Sequence, residues 1–244
     1  MTIRSAFRQT ALACALCAML PAAFAQETFE WTLKGDIGVG AFGKNTNVVG
    51  RDNTLSILPF GYADYGRAFW RVDTVGVKTL QMGYGYLEIV GRFDFENSTN
   101  TKSDFSSLFK RENAIPLGLG TFQKTPWGGF FLHGYQDVGA SRGQVAEARY
   151  AAKFDVQKLS IYPQVAVEYR SAKFNDTYYG TPTYHAGASV NPTVAVAAEY
   201  PLYENWMLNA QVRRKWLGSQ VADSPLVNRR TLDDAYLAVS YKFK

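Results

Sequence analysis

Asp234-Ala235-Tyr236-Leu237-Ala238-Val239-Ser240-Tyr241-Lys242-Phe243-Lys244 is the stretch that decides the reading of this 244-residue chain. Ala235, Leu237, Val239, Tyr241 and Phe243 share one face at period two, and Tyr236, Ala238, Ser240 and Lys242 share the other. Period two with one apolar face is the mark of a strand exposed on one side to an apolar medium. A chain that ends this way has the closing strand a membrane β-barrel needs, because the last strand must pair with the first so that no backbone edge is left in lipid. Any half-buried strand alternates, so the weight of the pattern comes from its recurrence.

It recurs along most of the chain. Leu159, Ile161, Pro163, Val165, Val167 and Tyr169 oppose Ser160, Tyr162, Gln164, Ala166, Glu168 and Arg170. Trp31, Leu33, Ile37, Val39 and Ala41 oppose Thr32, Lys34, Asp36, Gly38 and Gly40. Leu87, Ile89, Phe93 and Phe95 oppose Glu88, Arg92 and Asp94, and Trp206, Leu208, Ala210 and Val212 oppose Asn209, Gln211, Arg213 and Lys215. The pattern predicts strands at 31–42, 54–62, 67–72, 75–80, 86–95, 115–123, 128–138, 143–155, 159–171, 192–201, 206–217 and 232–244. If the first strand runs outward, the connections 43–53, 73–74, 96–114, 139–142, 172–191 and 218–231 lie outside. The inner ones, 63–66, 81–85, 124–127, 156–158 and 202–205, are all short. Short periplasmic turns with long outer loops are the asymmetry of outer-membrane barrels.

Twelve strands is the count, and ten is the alternative. Merging 54–72 and 75–95 gives ten and keeps the same asymmetry. Against merging, the apolar face switches from even positions (Leu58, Phe60, Tyr62) to odd ones (Phe69) across Ala63 to Gly66. Such a switch signals a turn or a bulge.

The N-terminus reads as an export signal. Arg4 and Arg8 form a positive start, Thr10 to Leu20 a short apolar core, and Ala23-Phe24-Ala25 a cleavage site. Residues 1–25 are expected to leave, with one barrel domain over 26–244. The two cysteines, Cys14 and Cys17, both fall in the signal. Ala11 and Cys14 stand where a lipoprotein box needs a branched apolar residue, so neither cysteine reads as lipidated. The mature chain then has no disulfide and no thiolate chemistry. The formal net charge of +5 falls by two with Arg4 and Arg8, and no basic cluster points to nucleic acid. Fifteen Tyr and five Trp suit interfacial belts. After the signal no run of 18 apolar residues exists, so no helix is predicted to span.

The inward faces carry charges of both signs: Lys34, Asp36, Glu88, Arg92, Asp94, Glu147, Arg149, Lys153, Asp155, Glu168, Arg170, Glu199, Arg213 and Lys215. Each would cost several kcal/mol in lipid, so they are expected in the lumen. Alternating signs, as in Glu147, Arg149, Lys153 and Asp155, suit mutual neutralisation better than a single-sign selectivity ring. Arg214 breaks the pattern among lipid-facing neighbours, which implies snorkelling or a lipopolysaccharide phosphate at the rim. His133 and His185 are the two histidines. With no His-x-x-His spacing they suggest no metal site, and no nucleophile motif surrounds Ser141 or Ser189. Gly38-Val39-Gly40 and Gly118-Leu119-Gly120 sit in strands and open no helix, so no phosphate-cradling loop is implied. In the outer loop, Asp223-Ser224-Pro225 can close a local turn, with Leu226-Val227 folding back onto the mouth.

Several local patterns, in this order, resemble the MipA/OmpV family of outer-membrane proteins, named for MltA-interacting protein. They are Leu58-Pro59-Phe60-Gly61-Tyr62 with Tyr65-Gly66-Arg67-Ala68-Phe69-Trp70, then Tyr178-Tyr179-Gly180, then Asp223-Ser224-Pro225-Leu226-Val227, then Tyr241-Lys242-Phe243. The trailing Lys244 departs from barrels that finish on the aromatic. The resemblance implies an outer-membrane location and no catalytic residues, cofactor or metal. It implies a non-enzymatic scaffold for a lytic transglycosylase and a peptidoglycan synthase, with a small porin-like channel as the alternative; an outer-leaflet lipid hydrolase that uses His133 or His185 with Ser141 or Ser189 is a third reading, from the residues themselves. The expected architecture is an all-β, antiparallel, monomeric barrel in contact with outer-membrane lipid and lipopolysaccharide.

Overall fold

The computed structural model of the protein describes residues 29–50, 52–93 and 114–243. The export signal expected over 1–25, Asp94 among the expected lumen charges, and Lys244 lie outside them.

The strands are β1 (Leu33–Lys44), β2 (Thr54–Tyr65), β3 (Ala68–Arg71), β4 (Thr74–Met82), β5 (Gly85–Arg92), β6 (Pro116–Thr125) and β7 (Gly128–Asp137). They continue as β8 (Gln144–Ala151), β9 (Phe154–Val156), β10 (Leu159–Arg170), β11 (Ser189–Tyr203), β12 (Trp206–Trp216) and β13 (Thr231–Phe243). Two helices, α1 (Ala172–Tyr179) and α2 (Ser219–Ala222), interrupt the outer loops. Each wall strand pairs antiparallel with its neighbour, and β10 to β11 completes the ring. The seam is the stretch quoted at the outset: β13 pairs with β1 from Gly35↔Phe243 to Lys44↔Asp234. An unpaired edge in hydrocarbon would cost several kcal/mol for each bare backbone group, so closure is obligatory.

β8 and β9 are two pieces of one wall strand, both lying on β10, and the barrel is therefore twelve-stranded. The break has a cause in the sequence. Pro163 of β10 accepts from the Ala152 N–H but has no N–H to return, and the ladder opens at residues 152–153.

The ten-strand alternative fails. β2 ends at Tyr65, and Gly66 turns the chain with φ +57°. β3 is a separate four-residue strand bonded to both β2 and β4. Its hairpin is short because Trp70 closes it early: the indole N–H donates to the Val72 carbonyl at 2.9 Å. The ring lies on Gly61, where a Cβ would stand 2.3 Å from it.

The inner connections 66–67, 83–84, 126–127, 157–158 and 204–205 are two residues each. In four of the five, positive φ at Gly66, Gly83, Gln157 or Glu204 gives the twist such hairpins need. Outward, Leu55, Ile57, Leu132, Val165, Val212 and Leu237 are exposed, as an apolar band in lipid requires. One part of the expectation is overturned. Leu58, Phe60 and Phe69, which alternation placed on apolar faces, are buried and point inward, while Leu55 and Ile57 face outward.

The helices were not foreseen. α1 begins at Ser171, whose hydroxyl accepts from the Phe174 N–H. It covers part of the outer mouth. Phe174 and Tyr178 pack with Phe69, Val90, Tyr135 and Val145, and Tyr179 packs with Leu217, Val221, Ala222 and Leu232.

Candidate functional site in the barrel lumen

Alternation delivers one charge from each of several strands into the same space. Glu168 of β10 lies among three cations: Arg170 Nε at 2.6 Å, Lys215 Nζ of β12 at 3.1 Å and Arg92 Nη2 of β5 at 3.4 Å. Arg92 also reaches Glu147 of β8 at 3.2 Å and Asp73, at the tip of the β3–β4 hairpin, at 3.7 Å. Glu147 in turn accepts from Arg149 at 2.7 Å. Nearer the hairpin, Arg71 donates to Glu88 at 3.0 Å, and the His133 Nε2 lies 3.6 Å from the other Glu88 oxygen. Arg92, Glu147, Glu168, Arg170 and Lys215 are all buried. The network laces β5, β8, β10 and β12 together across the interior.

Of the residues expected in the lumen, Glu88, Arg92, Glu147, Glu168, Arg170 and Lys215 lie in this network, and Arg149 borders it. Arg213 pairs separately with Asp234 at 2.7 Å. Lys153, half exposed beside the β8–β9 break, pairs with Asp155. Arg71, Asp73, Tyr62 and Tyr236 were missed. Arg71 stands on the same face as Phe69, so assigning that face to the lumen would have found it. Arg214 pairs with Asp233 opposite it on β13, through contacts of 2.6 and 3.0 Å.

Beside the network lies a cavity of about 970 Å³. Its lining runs from the inner turns, at Tyr84 and Pro126, up to the first outer loop at Asn45–Val48. One wall is aromatic: Phe122 and Phe131 stack at 4.4 Å and 16°. Arg71 lies 4.9 Å over the first ring and Arg149 5.9 Å over the second. Tyr62, Phe60 and Tyr236 line another wall. The charged lining contains acids and bases in equal measure.

The mouth loops join through the sequence motifs. Ser224 donates to the Tyr179 carbonyl, Val227 pairs with Val48, and Leu226 accepts from the Val49 N–H. Asp223 meets Arg230 at 2.8 Å, and Pro225 sits in the turn between Ser224 and Leu226. Leu226-Val227 thus folds back onto the mouth, tying the first and last outer loops to α1. Each histidine stands beside a carboxylate, His133 by Glu88 and His185 by Asp176. His185 pairs with Asp176 on an exposed loop, Ser141 donates to Asp137, and Ser189 accepts from Asn175.

The family described as MltA-interacting protein MipA matches residues 37–243. The putative outer membrane protein YiaT of Escherichia coli K12 is 24% identical over 221 residues, covering 85% of this chain and 90% of that one. The outer membrane protein OmpV of Vibrio cholerae is 23% identical over 227 residues, covering 84% and 85%. The MltA-interacting protein of Escherichia coli K12 is 24% identical over 113 residues, 42% of this chain and 46% of that one. Among solved structures, the translocator domain of the autotransporter NalP from Neisseria meningitidis covers 97% of this chain and 98% of its own, at 12% identity and a TM-score of 0.44.

Proposed function

We propose that this chain, which belongs to the MltA-interacting protein MipA family, is an outer-membrane barrel that anchors murein-processing enzymes at its periplasmic rim. The observation that carries the reading is the contrast between its two ends. The outer end is partly filled by α1, α2 and the buried charges beneath them. The inner end offers large side chains on short turns: Tyr84 is 77% and Trp127 81% exposed. Exposed aromatics on rigid two-residue turns are pre-organised contacts for a partner. The N-terminal segment adds to the rim, where Trp31 packs against Tyr65 and Phe29 against Tyr86. Lys34 hydrogen-bonds the Glu30 carboxyl there and lowers its pKa. A relative named for interaction with MltA supports a lytic transglycosylase as one partner. A photo-crosslinker at position 84 or 127 tests the reading in cells. Adducts with a transglycosylase from these positions and none from position 229 are expected. A pattern no different from that of an unrelated barrel would refute it.

The cavity favours a second reading, a narrow path for small polar solutes, because its lining spans both ends of the barrel. Planar-bilayer recording decides it: discrete conductance that changes in Arg149→Gln is expected, and a silent bilayer refutes it.

A further inference from the structure

β3 is too short to cover its neighbour. β2 runs over Thr54–Tyr65, but β3 pairs only with residues 62–65 of it, and the Val72 N–H adds one bond to the Gly61 carbonyl at 2.7 Å. Toward the outer end, residues 54–60 of β2 have no neighbour on that side among the described residues, over roughly 20 Å of strand. The sequence suits an open edge. The Gly61 carbonyl faces β3, and facing alternates along a strand, so the polar groups of Leu55, Ile57 and Pro59 face the gap. Pro59 has no N–H to leave bare there, and proline in a sheet is largely confined to edges and bulges. At the floor of the gap, the Trp70 indole lies on Gly61 and donates to the Val72 carbonyl, which would otherwise be bare at membrane depth.

Behind the gap lies the cavity. Ser56, Leu58 and Phe60 line it from β2, and Val72 and Asp73 line it from the hairpin tip, so both rims of the gap border the same space. Unpaired backbone is tolerated at membrane depth where it lines a polar cavity, which fits this placement. The β2 rim is apolar on both faces. Leu55 and Ile57 are exposed outward, while Leu58 and Phe60 point into the cavity. A strand that reads as a near-continuous apolar run has apolar surroundings on both sides. Inside, Phe60 and Phe42 each pack on Tyr236, at 5.6 and 5.3 Å, which extends the apolar surface from β2 across β1 to β13.

We propose that the cavity opens sideways between β2 and the β3–β4 hairpin and takes up the acyl chain of a bilayer lipid, which lies on Leu58, Phe60, Phe42 and Tyr236. The bilayer supplies this occupant, because Leu55 and Ile57 on the same rim belong to the lipid-facing band. An added protein strand fits the edge poorly, since Pro59 cannot donate to it. The site is independent of whether the rim docks an enzyme and of whether the cavity conducts.

Photolabelling tests this on the barrel reconstituted in phosphatidylcholine vesicles that contain a phosphatidylcholine with a diazirine near the end of one acyl chain. Peptide mass spectrometry is expected to find adducts on the outward Leu55 and Ile57 and also on the lumenal Leu58 and Tyr236. Ala166 and Thr193, which face the interior on the paired β10–β11 wall away from this cavity, are the controls and are expected to carry none. Leu58→Asp sets a charge in the path of the chain, so labelling of Tyr236 is expected to fall at least about tenfold while that of Ile57 stays. Heat-modifiable migration on gels verifies folding, and if Leu58→Asp does not fold, the adduct map of the unsubstituted barrel decides alone. Adducts confined to outward residues, adducts as abundant on Ala166 and Thr193 as on Leu58, or unchanged labelling of Tyr236 in folded Leu58→Asp would overturn the proposal.

Discussion

Replacing Glu168 by alanine is the most direct test of the charge network. Its carboxylate lies within 3.4 Å of nitrogen atoms from Arg92, Arg170 and Lys215, and both Arg170 and Lys215 are only 2% exposed. At an effective dielectric near 20, opposite charges about 4 Å apart attract by about 4 kcal/mol. Removing one partner of a buried pair costs about 3–5 kcal/mol, because the other charge stays behind desolvated. Here two cations stay behind with almost no access to solvent, although the neighbouring cavity admits some relaxation. The expected loss is therefore about 3–5 kcal/mol of unfolding free energy. Guanidinium-induced unfolding of the refolded barrel in micelles, followed by tryptophan fluorescence, reads this as a lower midpoint.

The control removes charge from both sides. Glu168→Gln combined with Lys215→Met replaces an acid and a base by neutral groups of similar volume. Such a swap is often neutral or stabilising. The double variant is therefore expected to recover the part of the loss due to Lys215, while Arg170 keeps its charge and the rest of the penalty. A Glu168→Ala loss below about 1 kcal/mol, the value of exposed ion pairs, would refute the reasoning. The lumen charges would then be solvated and the lacing of β5, β8, β10 and β12 illusory.

Other perturbations probe separate parts of the fold. Gly38→Val places a Cβ 2.0 Å from the Val239 carbonyl at the β1–β13 seam, and loss of the heat-modifiable folded band is expected. Trp70→Ala removes the indole from Gly61 and Val72, costing about 3–5 kcal/mol, read as a lower denaturation midpoint. Ser171→Ala removes the α1 cap and the hydroxyl that also accepts from the Gln144 N–H, so about 1 kcal/mol of local stability goes. Faster tryptic cleavage at Lys173 with an unchanged global midpoint is the signature.

The walls of the barrel were legible because a barrel strand has only two environments, and alternation reports both. In β10 and β13 the inward face is mostly polar or small, Tyr162, Leu232 and Tyr236 apart, and the outward face is mostly apolar, so period and direction agree. In β2 and β3 the period was right and the direction wrong. Leu58, Phe60 and Phe69 are apolar yet lumenal, because part of the interior is filled by ring packing, as between Phe60 and Tyr236. Alternation fixes which residues share a face and leaves open which face meets lipid. The same limit hid Arg71, which shares its face with Phe69 on the four-residue β3. The helices escaped for another reason. Eight residues of α1 bounded by strands read as a long connection, and Ser171 was the one local signal that a helix starts there. The candidate site depends on contacts between residues dozens of positions apart, such as Arg92 with Glu168, and no local pattern encodes those.

The network also links stability to passage. Arg92, Glu147, Glu168 and Lys215 are each held by a partner on another strand, so the charges that brace the wall also occupy the interior. A wider path at this level requires moving Arg92 or Lys215 away from Glu168, and the cost of that movement is the attraction that stabilises the barrel. A barrel whose role is to hold a partner at its rim gains from the bracing and loses nothing. A barrel whose role is conduction works against it, and its path would have to follow the cavity along β1 and β2. The two roles therefore separate in one variant. If the bracing is the constriction, Glu168→Ala lowers stability and raises conductance together, whereas a path along β1 and β2 leaves conductance unchanged as stability falls.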